Sequence, residues 1–392
     1  MTDPAAPGLL RLTLARACAW ALLVAGWIGL GSFALQFAPS LASGFALVAL
    51  WLLALGAAAT VATRGGMHRW TRALALCSGA ALASIALLAT VRGGGLVAVL
   101  VAVLGWSALT ALASGVVRSL RQAQPVPPGP PIAAATLGAL CAGLVLGDLG
   151  DVTALASRLA LLVCGAVTVL LVLQRPIEAT PRPGCRAGLF DCSLPAWPAG
   201  AWRDSMQWPT LLAGLAMLPM MAALPLMADW CRAQSIAPQA MVLLHLAAMF
   251  GPALVLRRMI ASWSVRVLAS VCALLLLAGA GFALLAPAPV DLFGLAMAHG
   301  AAWGLAWGGQ LWAPARRGQQ GTSPLRAATG YAVLTLVFGG FVEYAGARGV
   351  ADVQAALGIV AGAAWLAGLA IAARRHPAAP ASVDPHGQPP RL

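Results

Sequence analysis

Twelve predominantly apolar runs follow one another along the chain, at approximately 17–37, 43–63, 73–91, 96–117, 132–149, 154–173, 207–227, 236–256, 267–286, 291–313, 327–346 and 351–372. Each is close to the roughly 20 residues that a helix needs to cross a bilayer core. Short polar or glycine- and proline-bearing links separate them, such as Phe37-Ala38-Pro39-Ser40 between the first two. The pattern predicts an all-α polytopic membrane protein with twelve transmembrane helices. The longest polar interval, 174–206, holds Pro176, Pro181, Pro183, Gly184, Pro195 and Pro198 and reads as a linker, which divides the chain into two six-helix halves, 1–173 and 207–372. The stretch 373–392 is proline-rich and is expected to be a disordered tail that carries His376 and His386 as solvated side chains.

Composition agrees with this division and removes other classes. Of the residues 61% are hydrophobic and only 9% are charged, against about 25% charged in soluble domains. The net charge of +13 does not indicate nucleic-acid binding, because all 24 basic residues are Arg and all but Arg158, inside the sixth run, lie outside the apolar runs. Twenty of them fall in the N-terminus, the even-to-odd links and the tail, and only Arg92, Arg232 and Arg348 fall in the opposite links. Both termini and the linker are therefore expected to be cytoplasmic. An Ala- and Arg-rich chain without Lys suggests a bacterial inner membrane, and no cleavable signal is evident before the first run. Cys18, Cys77, Cys141, Cys164 and Cys272 lie inside apolar runs without the spacing of a zinc or redox motif, and are expected to be buried packing residues. No Ser/His/Asp set or GxSxG is found, so no enzyme activity is expected.

Two features carry an internal repeat. The link Arg64-Gly65-Gly66-Met67-His68-Arg69-Trp70-Thr71-Arg72 resembles the loop between helices 2 and 3 of the major facilitator superfamily, without that motif's Asp. Arg64 and Arg72 recur as Arg258 and Arg266, 194 residues on. This suits two halves related as parallel repeats. The proline run Pro125-Val126-Pro127-Pro128-Gly129-Pro130-Pro131 is expected to be a stiff connector, and Arg158, near Asp148 and Asp151, to form a local ion pair.

The seventh and eighth runs hold the chemistry. They are joined by Ala228-Asp229-Trp230-Cys231-Arg232-Ala233-Gln234-Ser235, a link short enough for a transmembrane hairpin. Met217 and Met221 share one helical face of the first arm, and His245 and Met249 share one face of the second. Both pairs are placed symmetrically about position 233, so antiparallel arms hold them at matching depth. Thioethers and an imidazole form the donor set of Cu(I), and neither arm contains a carboxylate within its apolar run. Met220 and Met227 point away from the shared face and are expected to matter less than Met217 and Met221; the competing reading is that the whole methionine face is packing.

At these residues the chain resembles the CcoA-like (CalT) copper importers of the major facilitator superfamily, whose signature is MxxxM in helix 7 and HxxxM in helix 8. The resemblance implies an inner-membrane importer that moves copper from periplasm to cytoplasm by alternating access for cytochrome oxidase biogenesis. It implies Met217, Met221, His245 and Met249 as metal ligands and Cys231 as an auxiliary thiol. It also implies copper as substrate rather than cofactor, and copper chaperones or oxidase assembly factors as partners beside the lipid bilayer. Two other readings remain open: a carrier for a metal chelate or small organic molecule, with Trp106, Trp303, Trp307 and Trp312 lining its cavity, and a non-transporting copper-handling assembly factor.

The orientation is testable directly. In Ala187→Cys and Ala228→Cys variants, a membrane-impermeant thiol reagent added outside should label only Ala228→Cys above the wild-type signal. Labelling of Ala187→Cys alone would invert the topology.

Overall fold

The computed structural model describes residues 6–30, 40–64, 69–123, 130–147, 151–174, 227–308, 324–344 and 350–375. Eleven of the twelve predicted runs are helices. These are α1 (Ala6–Ala25, continued by a wider π turn over Gly26–Leu30), α2 (Leu41–Arg64), α3 (Arg69–Ala89), α4 (Gly95–Ala123), α5 (Pro130–Leu146) and α6 (Val152–Leu173). After two short helices, α7 (Met227–Ala233) and α9 (Arg257–Ser262), which flank α8 (Pro238–Val255), come α10 (Val265–Leu285), α11 (Val290–Gly308), α12 (Pro324–Tyr344) and α13 (Val350–Arg375). The seventh run lies outside the described residues apart from Met227, as do most of the proline connector, the 174–206 linker beyond Gln174 and the tail from 376. No strand occurs among the described residues. Among the described residues seven helical stretches are long and apolar enough by themselves to cross a membrane, one of them Thr71–Val117, which spans α3 and α4. Several helices run past the predicted apolar limits, because a helix need not stop where the hydrocarbon does.

The ends are made by local chemistry. α3 turns into α4 through Gly93 and Gly95, whose φ values of 95° and 55° are left-handed and open to glycine at no steric cost. Asp151 caps α6 by accepting from Ala154 N at 2.9 Å. Arg158 donates to Leu146 O at 3.3 Å, so its cation sits at the carbonyl end of α5; Asp148, the expected partner, lies outside the described residues. Pro130 and Pro131 open α5, where their missing N–H groups cost nothing. Several buried hydroxyls are satisfied within their own helices: Thr60 donates to Gly56 O, Thr90 to Ala86 O and Ser107 to Val103 O, each at 2.8 Å.

Packing repeats along the chain. α3 packs on α4 and α6 as α10 packs on α11 and α13, and α2 packs on α4 as α8 packs on α11. The paired helices start at Arg69 and Val265, Leu41 and Pro238, Gly95 and Val290, and Val152 and Val350, about 195–198 residues apart. This agrees with the spacing of the Arg pairs. Two seams join the halves, α2 against α12 and α5 against α8. On the first, Glu343 Oε2 accepts from Ala42 N at 3.2 Å and Leu325 N donates to Thr60 Oγ1 at 3.1 Å. On the second, Gln239 donates to Leu144 O at 2.9 Å.

Burial corrects one expectation. Cys272 is fully buried and its thiol donates to Ala302 O at 3.4 Å, but Cys77, Cys141 and Cys164 lie on exposed helix faces. The reason is that lipid is as apolar as the bundle interior, so a small apolar residue has no preference between them.

Close helix contacts depend on missing side chains. A Cβ at Gly138 of α5 would fall on Ala17 O and within 2.9 Å of Trp20 Cβ on α1, whereas one at Gly251 of α8 would meet nothing. Gly138→Val should therefore lower the melting temperature of the detergent-solubilised protein, at a cost of about 1–3 kcal/mol. Gly251→Ala should leave it unchanged or raise it slightly, the helical gain over glycine being at most about 1 kcal/mol.

Candidate functional site

The entry to α8 is built from backbone rules. α7 closes with Ile236 N donating to Cys231 O at 2.8 Å and Ser235 N to Arg232 O at 3.0 Å, the paired bonds of a Schellman end. Ser235 holds the left-handed position with φ of 58°. Pro238 then stands in the first turn of α8, with its φ already set for a helix. Next to this turn Gln234 donates to both carboxylate oxygens of Asp291, at 3.2 and 3.0 Å, which ties the α7–α8 link to the start of α11. Cys231 is buried beside it. Burial pushes its thiol up to about 11, only partly opposed by the charge of Arg232.

Along α8 the buried face repeats every four residues. Met241, His245 and Met249 are 2%, 0% and 1% exposed, as three residues one turn apart on one face must be if that face meets another helix. The helix they meet is α11, which comes close enough for backbone contact. A Cβ at Gly300 would lie 2.7 Å from His245 O, and one at Gly304 would fall on Met249 O. Glycines four apart are the usual device for such an approach.

This approach brings two imidazoles together. His245 and His299 stack with ring centroids 5.0 Å apart and planes inclined by 27°, and both are buried. His245 Nδ1 lies 2.9 Å from Ala296 O. A carbonyl can only accept, so Nδ1 carries the proton and Nε2 keeps its lone pair. Among the described residues neither His245 Nε2 nor His299 Nε2 has a hydrogen-bond partner. Phe250, the residue after Met249 on α8, meets Trp20 of α1 edge to face at 5.6 Å and Trp303 of α11 at 5.9 Å, an aromatic row that joins the two halves.

Of the residues expected at the site, His245 and Met249 are therefore together on one buried face, and Cys231 lies at the α7 end of the same hairpin arm. Met217 and Met221 lie outside the described residues. Among the described residues no group of three or more His, Cys, Asp or Glu is gathered as for a metal ion. Two donors are added. Met241 continues the four-residue spacing of His245 and Met249 and was legible in the sequence. His299 is brought in by helix pairing; the glycines that follow it, Gly300 and Gly304, were the available signal. Met297, two residues before His299, is 50% exposed on the opposite face. Of the tryptophans, Trp106 is fully buried and donates to Leu22 O at 2.7 Å, so it fills the space over Gly26 between α1 and α4.

No protein-family model matches the sequence, and no curated protein matches it. Solved structures do. The nucleoside transporter NupG superposes with a TM-score of 0.60 at 16% identity, over 93% of this chain and 99% of that one. The xylose transporter XylE from E. coli gives 0.57 at 12% identity, over 94% and 99%. A bacterial homologue of the iron transporter ferroportin gives 0.53 at 18% identity, over 93% and 98%. At these identities the likeness is one of architecture, and it extends over nearly the whole of each chain: this protein has the fold of the major facilitator superfamily transporters.

Proposed function

We propose that the protein is a bacterial inner-membrane copper importer, which moves copper from periplasm to cytoplasm by alternating access and supplies cytochrome oxidase biogenesis. The observation that carries the reading is the buried, unpartnered Nε2 of His245 one turn from Met249. Magnitudes weigh against a packing role. A side-chain hydrogen bond between membrane helices contributes about 0.6 kcal/mol on average, while a buried polar atom left unpaired costs about 1–3 kcal/mol. His245 makes one such bond and leaves one such atom, so leucine would serve packing better. A soft cation offers the missing partner.

In this reading Met217 and Met221 complete the donor set from the first hairpin arm, and residues 1–173 and 207–372 rock about the site, joined by the cytoplasmic 174–206 linker. Both termini face the cytoplasm. Copper is cargo and its ligands are neutral, so no carboxylate is needed at the site. Acids described elsewhere have other places: Glu343 caps α2, Asp151 caps α6, Asp291 holds Gln234 and Asp352 stands in the first turn of α13. Trp106, engaged with Leu22 O, is removed from any aromatic cavity that an organic substrate would need.

Uptake of radioactive copper by cells carrying variants tests the site. His245→Leu should lose nearly all uptake at wild-type abundance in the membrane, and His245→Met, which retains a soft donor, should keep part of it. Equal uptake by both variants would make His245 a packing residue and end the copper reading.

The state of Cys231 makes a separate prediction. With a thiol near 11, about one molecule in a thousand is thiolate at pH 8, and the fraction rises about tenfold for each pH unit up to that value. Maleimide labelling of Cys231 at pH 8 should be much slower than that of Ala228→Cys and should accelerate with pH. Rapid labelling at pH 7 would show the thiol to be open and activated.

A further inference from the structure

We propose that His299 is a further copper ligand, contributed by α11 from outside the hairpin, so that the ion is held by two imidazoles together with methionine thioethers. The inference rests on the copper reading above and adds to it a ligand that neither hairpin arm contains. His299 lies on the inward stripe of α11 with Leu292, Leu295, Ala296 and Trp303, and is 3% exposed. Its ring stacks on that of His245 at 5.0 Å. Imidazole–metal bonds are about 2 Å long, so two nitrogens on one ion stand about 4 Å apart. Rings 5.0 Å apart stand near enough for both nitrogens to reach one ion once the side chains turn from their stacked arrangement.

The two Nε2 atoms are each shielded and each without a partner among the described residues. Packing does not account for the pair. The cost of an unpaired buried nitrogen is incurred twice at one spot, where Leu or Phe would fill the same volume at none. Nor does an acid account for it. Asp291, on the same helix, is two turns away and bonded to Gln234, and α8 carries no carboxylate. Cys272 of α10, the nearby thiol, is turned to Ala302 O. One cation with lone-pair ligands satisfies both nitrogens together. The backbone contact at Gly300, adjacent to His299, holds the two rings at this distance.

The test uses the full-length protein in detergent, loaded with Cu(I) as its acetonitrile complex, with affinity measured by competition against bathocuproine disulfonate. Copper-edge X-ray absorption counts the imidazole ligands. The wild type should show two imidazoles with sulfur. His299→Phe should show one and bind about 10- to 100-fold more weakly, at least the loss that follows removal of a supporting contact. His299→Met should recover affinity, with sulfur in place of the second imidazole. One imidazole in the wild type, with unchanged affinity in His299→Phe, would overturn the role of His299 and leave the hairpin site standing. Absence of Cu(I) binding by the wild type would overturn both. Should His299→Phe fail to fold, the imidazole count of the wild type and the sulfur count of His299→Met decide.

Discussion

The backbone contact between α8 and α11 is the interaction on which the candidate site depends. Only hydrogen at Gly300 and Gly304 lets α11 lie against His245 O and Met249 O, and that separation puts Ala296 O within 2.9 Å of His245 Nδ1. The bond selects the tautomer, and the tautomer leaves Nε2 as a donor atom for a cation. A single Cβ at either glycine would move the helices apart and undo all three steps. Between helices in lipid there is no hydrophobic force to restore such a contact, since tails and side chains are equally apolar; van der Waals fit and a few polar bonds must suffice.

The same poverty of driving force explains where polar groups are placed. Hydroxyls at Thr60, Thr90 and Ser107 return to carbonyls of their own helices. Carboxylates stand at helix ends and act on backbone or side-chain donors there. Other buried polar atoms among the described residues also lack partners, the neighbouring indoles of Trp27 and Trp51 among them, but the two adjacent imidazoles bring lone pairs to one place, and ionisable groups inside membranes mark functional sites.

The two halves meet along two seams. α2 meets α12 and α5 meets α8, with a few hydrogen bonds on each, among them Glu343 to Ala42, Thr60 to Leu325 and Gln239 to Leu144. α8 takes part in one seam and also carries the donors. A movement of α8 against α5 therefore displaces His245 and Met249 together with the halves, and the row Trp20, Phe250 and Trp303 spans the same junction.

Much of this was legible in the sequence, for definite reasons. Bilayer thickness makes the twelve apolar runs readable, and the eleven that fall among the described residues are helices. Helix geometry alone puts His245 on the face of Met249, because residues four apart on one helix share a face whatever surrounds it. Which faces are inward was not legible. Cys77, Cys141, Cys164 and Met297 look outward and Cys272 inward, and the sequence does not distinguish them, since both solvent and core are apolar and the polar–apolar contrast that marks a buried face in water is absent. Nor does a single sequence state that α11 lies on α8. His299 is 54 residues from His245 and belongs to another helix, so its place beside His245 was decided only by tertiary packing, through the two glycines that let the backbones touch.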